Sequence, residues 1–357
     1  MTDISQLATR SVEGLGRGAY LVTLLPSAII MLSGYALASS ALYPWATPPM
    51  GANRIRVQPG LAAIVKNAEN LNGVGIALCV LAILGGAVLL RPFQLTAVQI
   101  LEGYWSSKPI PRMVEEFRIE HHRRRRAIAV SLKRARYERP DADKQITSIM
   151  AYERHRDRAA RTARRAGFRA GNYPLDPRAV LPTSLGNVLR RGETIAGERY
   201  GLNTVVTFPR LHPFVSPPLL ARIDTITDLL DTTSTFVFVF AADSILAAPL
   251  LFRGDRWSVL PVISVVLSAV CYAGAINAAR ILVIEYATAY DLHRFDMLAG
   301  LHRRLPKNAA KEFSENLKLS DFLIKDEPVN AAESAKWKYR HTTQEAPAPD
   351  SGGESAR

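Results

Sequence analysis

Cysteine is scarce in this 357-residue chain: Cys79 and Cys271 are the only two, and both sit inside apolar stretches. No CxxC and no Cys/His cluster accompanies them, which excludes a disulfide framework and a zinc site. Catalytic signatures are lacking too. There is no GxSxG, no P-loop and no HExxH, and Gly14-Leu-Gly-Arg-Gly18 precedes an apolar run rather than following a strand. The residues therefore point to no enzyme activity, no cofactor and no metal site. Lysine is short in the middle of the chain, and charge of either sign is nearly missing from four long stretches. That last absence excludes an ordinary soluble enzyme, and equally a fully disordered chain.

What is present divides into two materials. Lys+Arg 45 against Asp+Glu 32 leaves +13, with a mean hydropathy of +0.02. From Arg91 to Arg222 the chain carries 26 basic and 12 acidic residues, whereas the remainder carries 19 and 20. The whole excess thus lies in one basic middle segment, between pairs of apolar stretches. Those stretches are Ala19–Ala41, Leu71–Leu90, Thr232–Phe252 and Trp257–Ala279. Each matches the roughly 20 residues needed to cross a bilayer core of about 30 Å, and backbone in lipid is satisfied by a helix. The uncharged run beginning at Ala19 exceeds the roughly 7–15 residues of a cleaved signal core, so a retained first span is expected.

Connectors set the expected arrangement. Arg253-Gly-Asp-Arg256 is short enough to force a tight antiparallel hairpin between the last two spans. About thirty residues, including Tyr43-Pro-Trp45, separate the first two. The Lys/Arg bias places the basic middle segment, and with it both termini, on the cytoplasmic side. Small residues at four-residue spacing (Gly34/Ala38, Ala82/Gly86, Ser264/Ser268, Gly274/Ala278) favour close helix packing.

Between the hairpins, apolar spacing extends the second span inward through Phe93, Leu95, Val98 and Leu101 to Tyr104-Trp105. Helices are expected from about Met113 to Arg139, opened by Pro111, and from Asp141 to about Arg169. A shorter helix covers Ser184–Arg191, and a loop covers Pro209 to Pro218. Ser216-Pro217 then starts a helix whose Leu219, Ile223, Ile226 and Leu230 share one face. The last span continues inward through Ile281, Ile284, Thr288, Leu292, Phe295 and Leu298, and Pro306 ends it. Phe313, Leu317 and Phe322 suggest one further docked helix before a tail read as disordered from Gln344. The fold expected is an all-α membrane protein: two transmembrane helical hairpins with an inserted cytoplasmic helical region. Its parts are 1–105, the basic region 106–216, 217–305 and the tail 306–357.

Four constellations draw attention. Asp243 lies near the middle of the third apolar stretch, where an ionised carboxylate is costly. Folding the hairpin brings Ser264, Ser268 and Tyr272 towards its depth, so a hydrogen-bonded Asp243 or one facing a polar crevice is expected. Asn277, Arg280 and Glu285 cluster at the inner end of the fourth stretch, where snorkelling and interfacial pairing account for them and a gate-like pair is the alternative. His121-His122-Arg123-Arg124-Arg125-Arg126 forms a candidate patch for anionic lipid headgroups or a cytoplasmic protein partner. Sparse aromatics and the absence of any nucleic-acid-binding motif disfavour nucleic acid there. Asp224, Asp228 and Asp231 make an acidic stripe suited to pairing with the arginine-rich helices. Tyr286, Tyr290 and His293 share a face further inward.

Three stretches carry a resemblance: Arg91-Pro-Phe-Gln-Leu with Leu101-Glu-Gly-Tyr-Trp105; Leu181-Pro-Thr-Ser-Leu-Gly-Asn-Val-Leu-Arg190 with Glu198-Arg-Tyr-Gly201; and Tyr290-Asp-Leu-His-Arg-Phe295. They resemble segments of uncharacterised bacterial multi-span, four-helix inner-membrane proteins. The resemblance implies a bacterial inner (plasma) membrane location and carries no activity. The function class expected is a membrane-anchored interaction or signalling protein, able to act as a homo-oligomer. A channel or pore-type effector built on Asp243 is the alternative, and a membrane-tethered nucleic-acid binder a second.

Overall fold

The computed structural model describes residues 24–39, 72–105, 109–134, 161–162, 164–254 and 256–325. Every regular element among them is helical. The principal helices are α1 (Leu25–Ser39), α2 (Gly73–Glu102), α3 (Pro109–Arg134), α4 (Ser184–Ile195), α5 (Thr204–Leu211), α6 (Pro217–Ala247), α7 (Val259–Gly300) and α8 (Ala309–Ile324). A short helical stretch covers 164–170. Three segments are long and apolar enough to cross a membrane: Gly73–Leu90, Pro217–Phe252 and Val259–Gly300. Of the expected first span, α1 supplies 15 residues, all uncharged. Its remaining residues lie outside those described, as do the loop of the first hairpin, the helix expected from Asp141 over most of its length, and the tail beyond 325.

The chain divides into two compact units: residues 1–192 with 221–285, and residues 193–220 with 286–357. In the first unit, Asn72 caps α2 by accepting the Gly75 amide at 2.8 Å. The helix runs without a break through Pro92, which offers no N–H to the turn before it. It stops at Gly103, whose φ of +105° lets its N–H and that of Tyr104 close on the Gln99 carbonyl at 3.1 Å. α3 begins at Pro109, four residues before the expected start at Met113. Pro109 and Pro111 preset φ in a first helical turn whose amides have no intrahelical partner in any case.

α1 and α2 pair closely, with the Ser27 hydroxyl donating to the Ile83 carbonyl at 2.6 Å. Phe93 of α2 meets Phe238 of α6 edge-on, with centroids 5.5 Å apart. α6 starts where expected: the Ser216 carbonyl accepts both the Leu219 and Leu220 amides at 3.0 Å. Leu219, Ile223 and Leu230 are buried. Its hydroxyls turn back on the helix itself, Thr225, Thr227, Thr232, Thr233 and Thr235 each donating to the carbonyl four residues earlier at 2.6–2.8 Å. After Ala247 a 3₁₀ stretch, Ala248–Arg253, tightens the chain towards Gly254 at φ +66°. α7 returns antiparallel, tied by Ser244 to the Pro261 carbonyl (3.1 Å) and by Ser268 to the Val237 carbonyl (2.9 Å). A small core of Leu37, Ala247 and Leu250, with Trp257 and Leu260 against it, closes that end. Elsewhere these helices are apolar outside: Val88, Leu89, Ile245 and Val270 are all well exposed. Such an outside is stable in hydrocarbon and costly in water.

The inward apolar spacing of α7 marks the buried face only at Leu298. Ile281, Ile284, Leu292 and Phe295 are exposed, whereas Ala278, Ala279, Leu282 and Val283 are buried. Small residues win that face because neighbours approach closely there; a methyl on Gly192 would come 2.4 Å from Val283.

The second unit corrects two further expectations. The segment from Pro209 is not a loop: Pro209 lies inside α5, and a 3₁₀ turn follows over His212–Phe214. Asn203 caps α5, and Thr207 donates back to the Asn203 carbonyl at 2.7 Å. These bonds anchor a helix only eight residues long despite its proline. α8 docks not through Phe313 and Leu317, which are exposed, but through Glu312, Asn316, Leu319 and Ser320. Asn316 Nδ2 donates to the Tyr200 carbonyl at 2.9 Å. The Ser320 hydroxyl accepts the Asn203 amide at 2.8 Å and donates to the Gly201 carbonyl at 3.1 Å. Polar partners, not area, select the face.

Candidate functional site

Asp243 is buried, and its Oδ1 accepts the Ser33 hydroxyl at 2.6 Å. The partner expected from the hairpin was Ser264 or Ser268. The antiparallel register instead sets Ser268 against Val237, and Asp243 addresses α1 rather than α7. Tyr272, also expected near Asp243, lies elsewhere. Its hydroxyl accepts the first two amides of α4, Ser184 at 3.2 Å and Leu185 at 3.4 Å.

The inner-interface cluster separates into two parts. Arg280 donates to Asn277 Oδ1 at 2.6 Å and to Asn172 Oδ1 at 3.0 Å, with its guanidinium 4.9 Å from the Phe168 ring centroid. Glu285 pairs instead with Arg222 of α6 at 2.8 Å. Asp224, Asp228 and Asp231, expected to face arginines, form no ion pair among the described residues.

The four consecutive arginines do not make one patch, because a helix turns each residue by about 100°. Arg123 donates to the Pro177 carbonyl at 3.3 Å, and Arg126 to the Pro174 carbonyl at 3.0 Å and, more closely, to that of Leu175. Arg124 pairs with Glu120 on the exposed face at 2.9 Å. Arg125 points to a cavity. His122, between them, is fully buried, with Nδ1 3.2 Å from the Tyr173 hydroxyl. Burial first, then the charges of Arg118, Arg125 and His121, hold its pKa down to about 4, while the Pro182 carbonyl pulls the other way. Burial likewise raises the Tyr173 phenol.

That cavity has a volume of about 670 Å³. Arg125 of α3, Arg165 and Arg169 of the 164–170 stretch, and Arg280 of α7 all line it, and among the described residues no lining residue is acidic. Ile128, Leu132, Phe168, Val188 and Ile276 supply an apolar wall. Sequence reasoning missed this convergence. The legible part was local: Arg125, Ile128, Ala129 and Leu132 keep helical spacing, and Arg165 and Arg169 lie one turn apart.

The stretches singled out together in the sequence meet in two clusters. Leu101-Glu-Gly lies against Leu181–Arg190: the Thr183 hydroxyl donates to the Glu102 carbonyl at 2.9 Å, and a methyl on Gly186 would sit 1.9 Å from that same oxygen. Asn187 Nδ2 ties back to the Leu181 and Thr183 carbonyls at 2.8 and 2.6 Å. In the second unit, Glu198–Gly201 meets Tyr290–Phe295. The Tyr200 hydroxyl bonds Asp291, and the Arg294 guanidinium lies 4.1 Å from the Tyr200 ring centroid while its Nε reaches Glu312 at 2.6 Å. Burial, followed by the Asp291 bond, raises the Tyr200 phenol. Tyr290 bonds Thr207 at 2.8 Å, and His293 Nε2 accepts the Ser216 amide at 3.3 Å. Both clusters are scaffolds, with their polar groups consumed internally. No group of three or more metal-ligating side chains occurs among the described residues.

No protein-family model, curated protein or solved structure matches this chain.

Proposed function

We propose that this chain is a multi-pass protein of the bacterial inner membrane, with four spans in two helical hairpins and both termini cytoplasmic. It acts as a membrane-anchored interaction or signalling protein, able to self-associate, whose basic cytoplasmic region lies against anionic lipid headgroups or presents itself to a protein partner. It performs no reaction of its own. The observation that carries this reading is α3. The helix holds eight Lys/Arg against three Asp/Glu and follows directly on α2, an apolar helix of bilayer length. Chain this basic, beside a membrane, is attracted by about 1 kcal/mol per Lys or Arg near an anionic surface. Asp243 favours a structural contact over an ion path, since its carboxylate is buried and already bonded to Ser33. The tandem motifs that resemble bacterial membrane proteins support the assignment of location.

The test uses the full chain in nanodiscs, with an environment-sensitive dye on Arg124→Cys after replacement of Cys79 and Cys271 by alanine. A blue shift in anionic but not zwitterionic lipid, reversed by salt, is expected. Identical spectra in both lipids would remove the lipid-contact reading.

A further inference from the structure

The arginine-lined cavity of the first unit does not belong to the exposed face of α3. Its four guanidinium groups come from three separate elements: α3, the 164–170 stretch and α7. Like charges gathered from distant parts of a chain repel, and among the described residues no carboxylate lines the cavity, so a bound anion would relieve that repulsion. Arg280 is held in place by Asn172, Asn277 and the Phe168 ring. Among the described residues, Arg125, Arg165 and Arg169 have no ion-pair partner. All three are exposed, so an anion arriving from solvent can reach them.

Two more observations narrow the ligand. An apolar wall runs beside the charges, with Ile128 one turn from Arg125 and Ile276 one turn from Arg280, and Ile128 and Leu132 on it remain exposed. A small inorganic anion would leave that wall in water. Depth gives the second. From Val259 to Ile276 and Arg280 is 17 and 21 residues of continuous helix, or about 26–32 Å. A bilayer core of about 30 Å entered at Val259 ends at this cavity, at headgroup level.

We propose that the cavity is a binding site for one membrane lipid with an anionic phosphate headgroup, the phosphate among Arg125, Arg165, Arg169 and Arg280 and an acyl chain along Ile128, Leu132 and Ile276. Guanidinium groups suit this role because their planar donors engage phosphate oxygens in pairs. The proposal rests on the membrane reading above but concerns a separate site. The dye at position 124 reports the outer face of α3, and lipid retention reports the cavity, so either can fail alone.

The test is native mass spectrometry of the full chain released from nanodiscs containing equal phosphatidylglycerol and phosphatidylcholine. Wild type is expected to retain one phosphatidylglycerol and no phosphatidylcholine. Arg125→Gln/Arg165→Gln/Arg169→Gln, which leaves the bonded Arg280 intact, is expected to lower that retained fraction at least about tenfold. Ile128→Glu, which places a carboxylate on an exposed wall position, is expected to do the same and decides the matter if the triple variant fails to fold. Arg123→Gln/Arg124→Gln is expected to retain the lipid as wild type does. Wild-type protein that retains no phosphatidylglycerol, folded cavity variants that retain it undiminished, or displacement of the lipid by millimolar inorganic phosphate would each overturn the assignment.

Discussion

Ser33 donates its hydroxyl to Asp243 across 2.6 Å, joining two apolar helices that are 210 residues apart in sequence. The bond makes the one carboxylate deep in the third apolar stretch a structural link between α1 and α6. Ser33→Ala removes the donor and is expected to cost about 1 kcal/mol, the scale of hydrogen bonds between helices in lipid. Asp243→Asn keeps an acceptor and is expected to melt close to wild type. Both are read from thermal unfolding in detergent. Reconstituted protein is expected to pass no ions at any pH; a proton flux abolished by Asp243→Asn would restore the channel reading.

His122 predicts a pH dependence. Its pKa in the fold, about 4, lies below its ordinary 6.5. The unfolded chain therefore takes up the proton first, and stability falls as pH drops from about 6.5 towards 4, by about 3 kcal/mol over the full window. Above 6.5 the contribution is constant. His122→Gln is expected to flatten this part of a melting-temperature profile; an unchanged slope would show that the imidazole is not the group responsible.

Gly201 sits at φ +79°, and a methyl there would lie 2.4 Å from the Phe313 carbonyl oxygen. Gly201→Ala is expected to destabilise the unit of 193–220 and 286–357 by at least about 2 kcal/mol, combining left-handed strain with a clash against backbone. Gly254, at φ +66°, has open space where its Cβ would be. Gly254→Ala is expected to cost only the strain, about 1 kcal/mol. Limited proteolysis of the two variants separates the effects.

Arg294 and Glu312 form an ion pair whose side chains are 15% and 9% exposed. Loss of either partner strands a buried charge, so Glu312→Gln or Arg294→Gln is expected to cost about 3–5 kcal/mol, and the apolar pair Arg294→Met/Glu312→Leu less than either. Arg294→Lys keeps the charge but loses the planar group over Tyr200 and the bonds to the Tyr290 and Asp291 carbonyls. It is expected to recover only part of the stability in a double-mutant cycle.

The helices were legible where one periodic signal acted alone. Leu219, Ile223 and Leu230 gave the buried face of α6, and Ser216-Pro217 marked its start by a backbone rule that holds without tertiary context. Faces failed where packing chose against hydrophobicity. Along the inner part of α7, alanines are buried and isoleucines exposed, because close approach needs small side chains. On α8, Glu312, Asn316 and Ser320 had partners waiting on another segment, and Phe313 did not. The cavity was illegible for the same reason: helical spacing reveals a stripe on one element, but only the tertiary fold brings Arg125, Arg165, Arg169 and Arg280 to one place. The Ser33–Asp243 bond needed a register that the hairpin alone cannot set.

The threonines of α6 have a consequence for how that helix meets its solvent. Five threonine hydroxyls from Thr225 to Thr235 look, letter by letter, like the lining of a watery conduit. Each has its proton on the carbonyl one turn back. A hydroxyl engaged in this way has no proton left for its surroundings, so these threonines add no dangling donor to the helix surface. The polarity this stretch shows to its surroundings is therefore that of the exposed Asp224 and Asp228, not of its threonines.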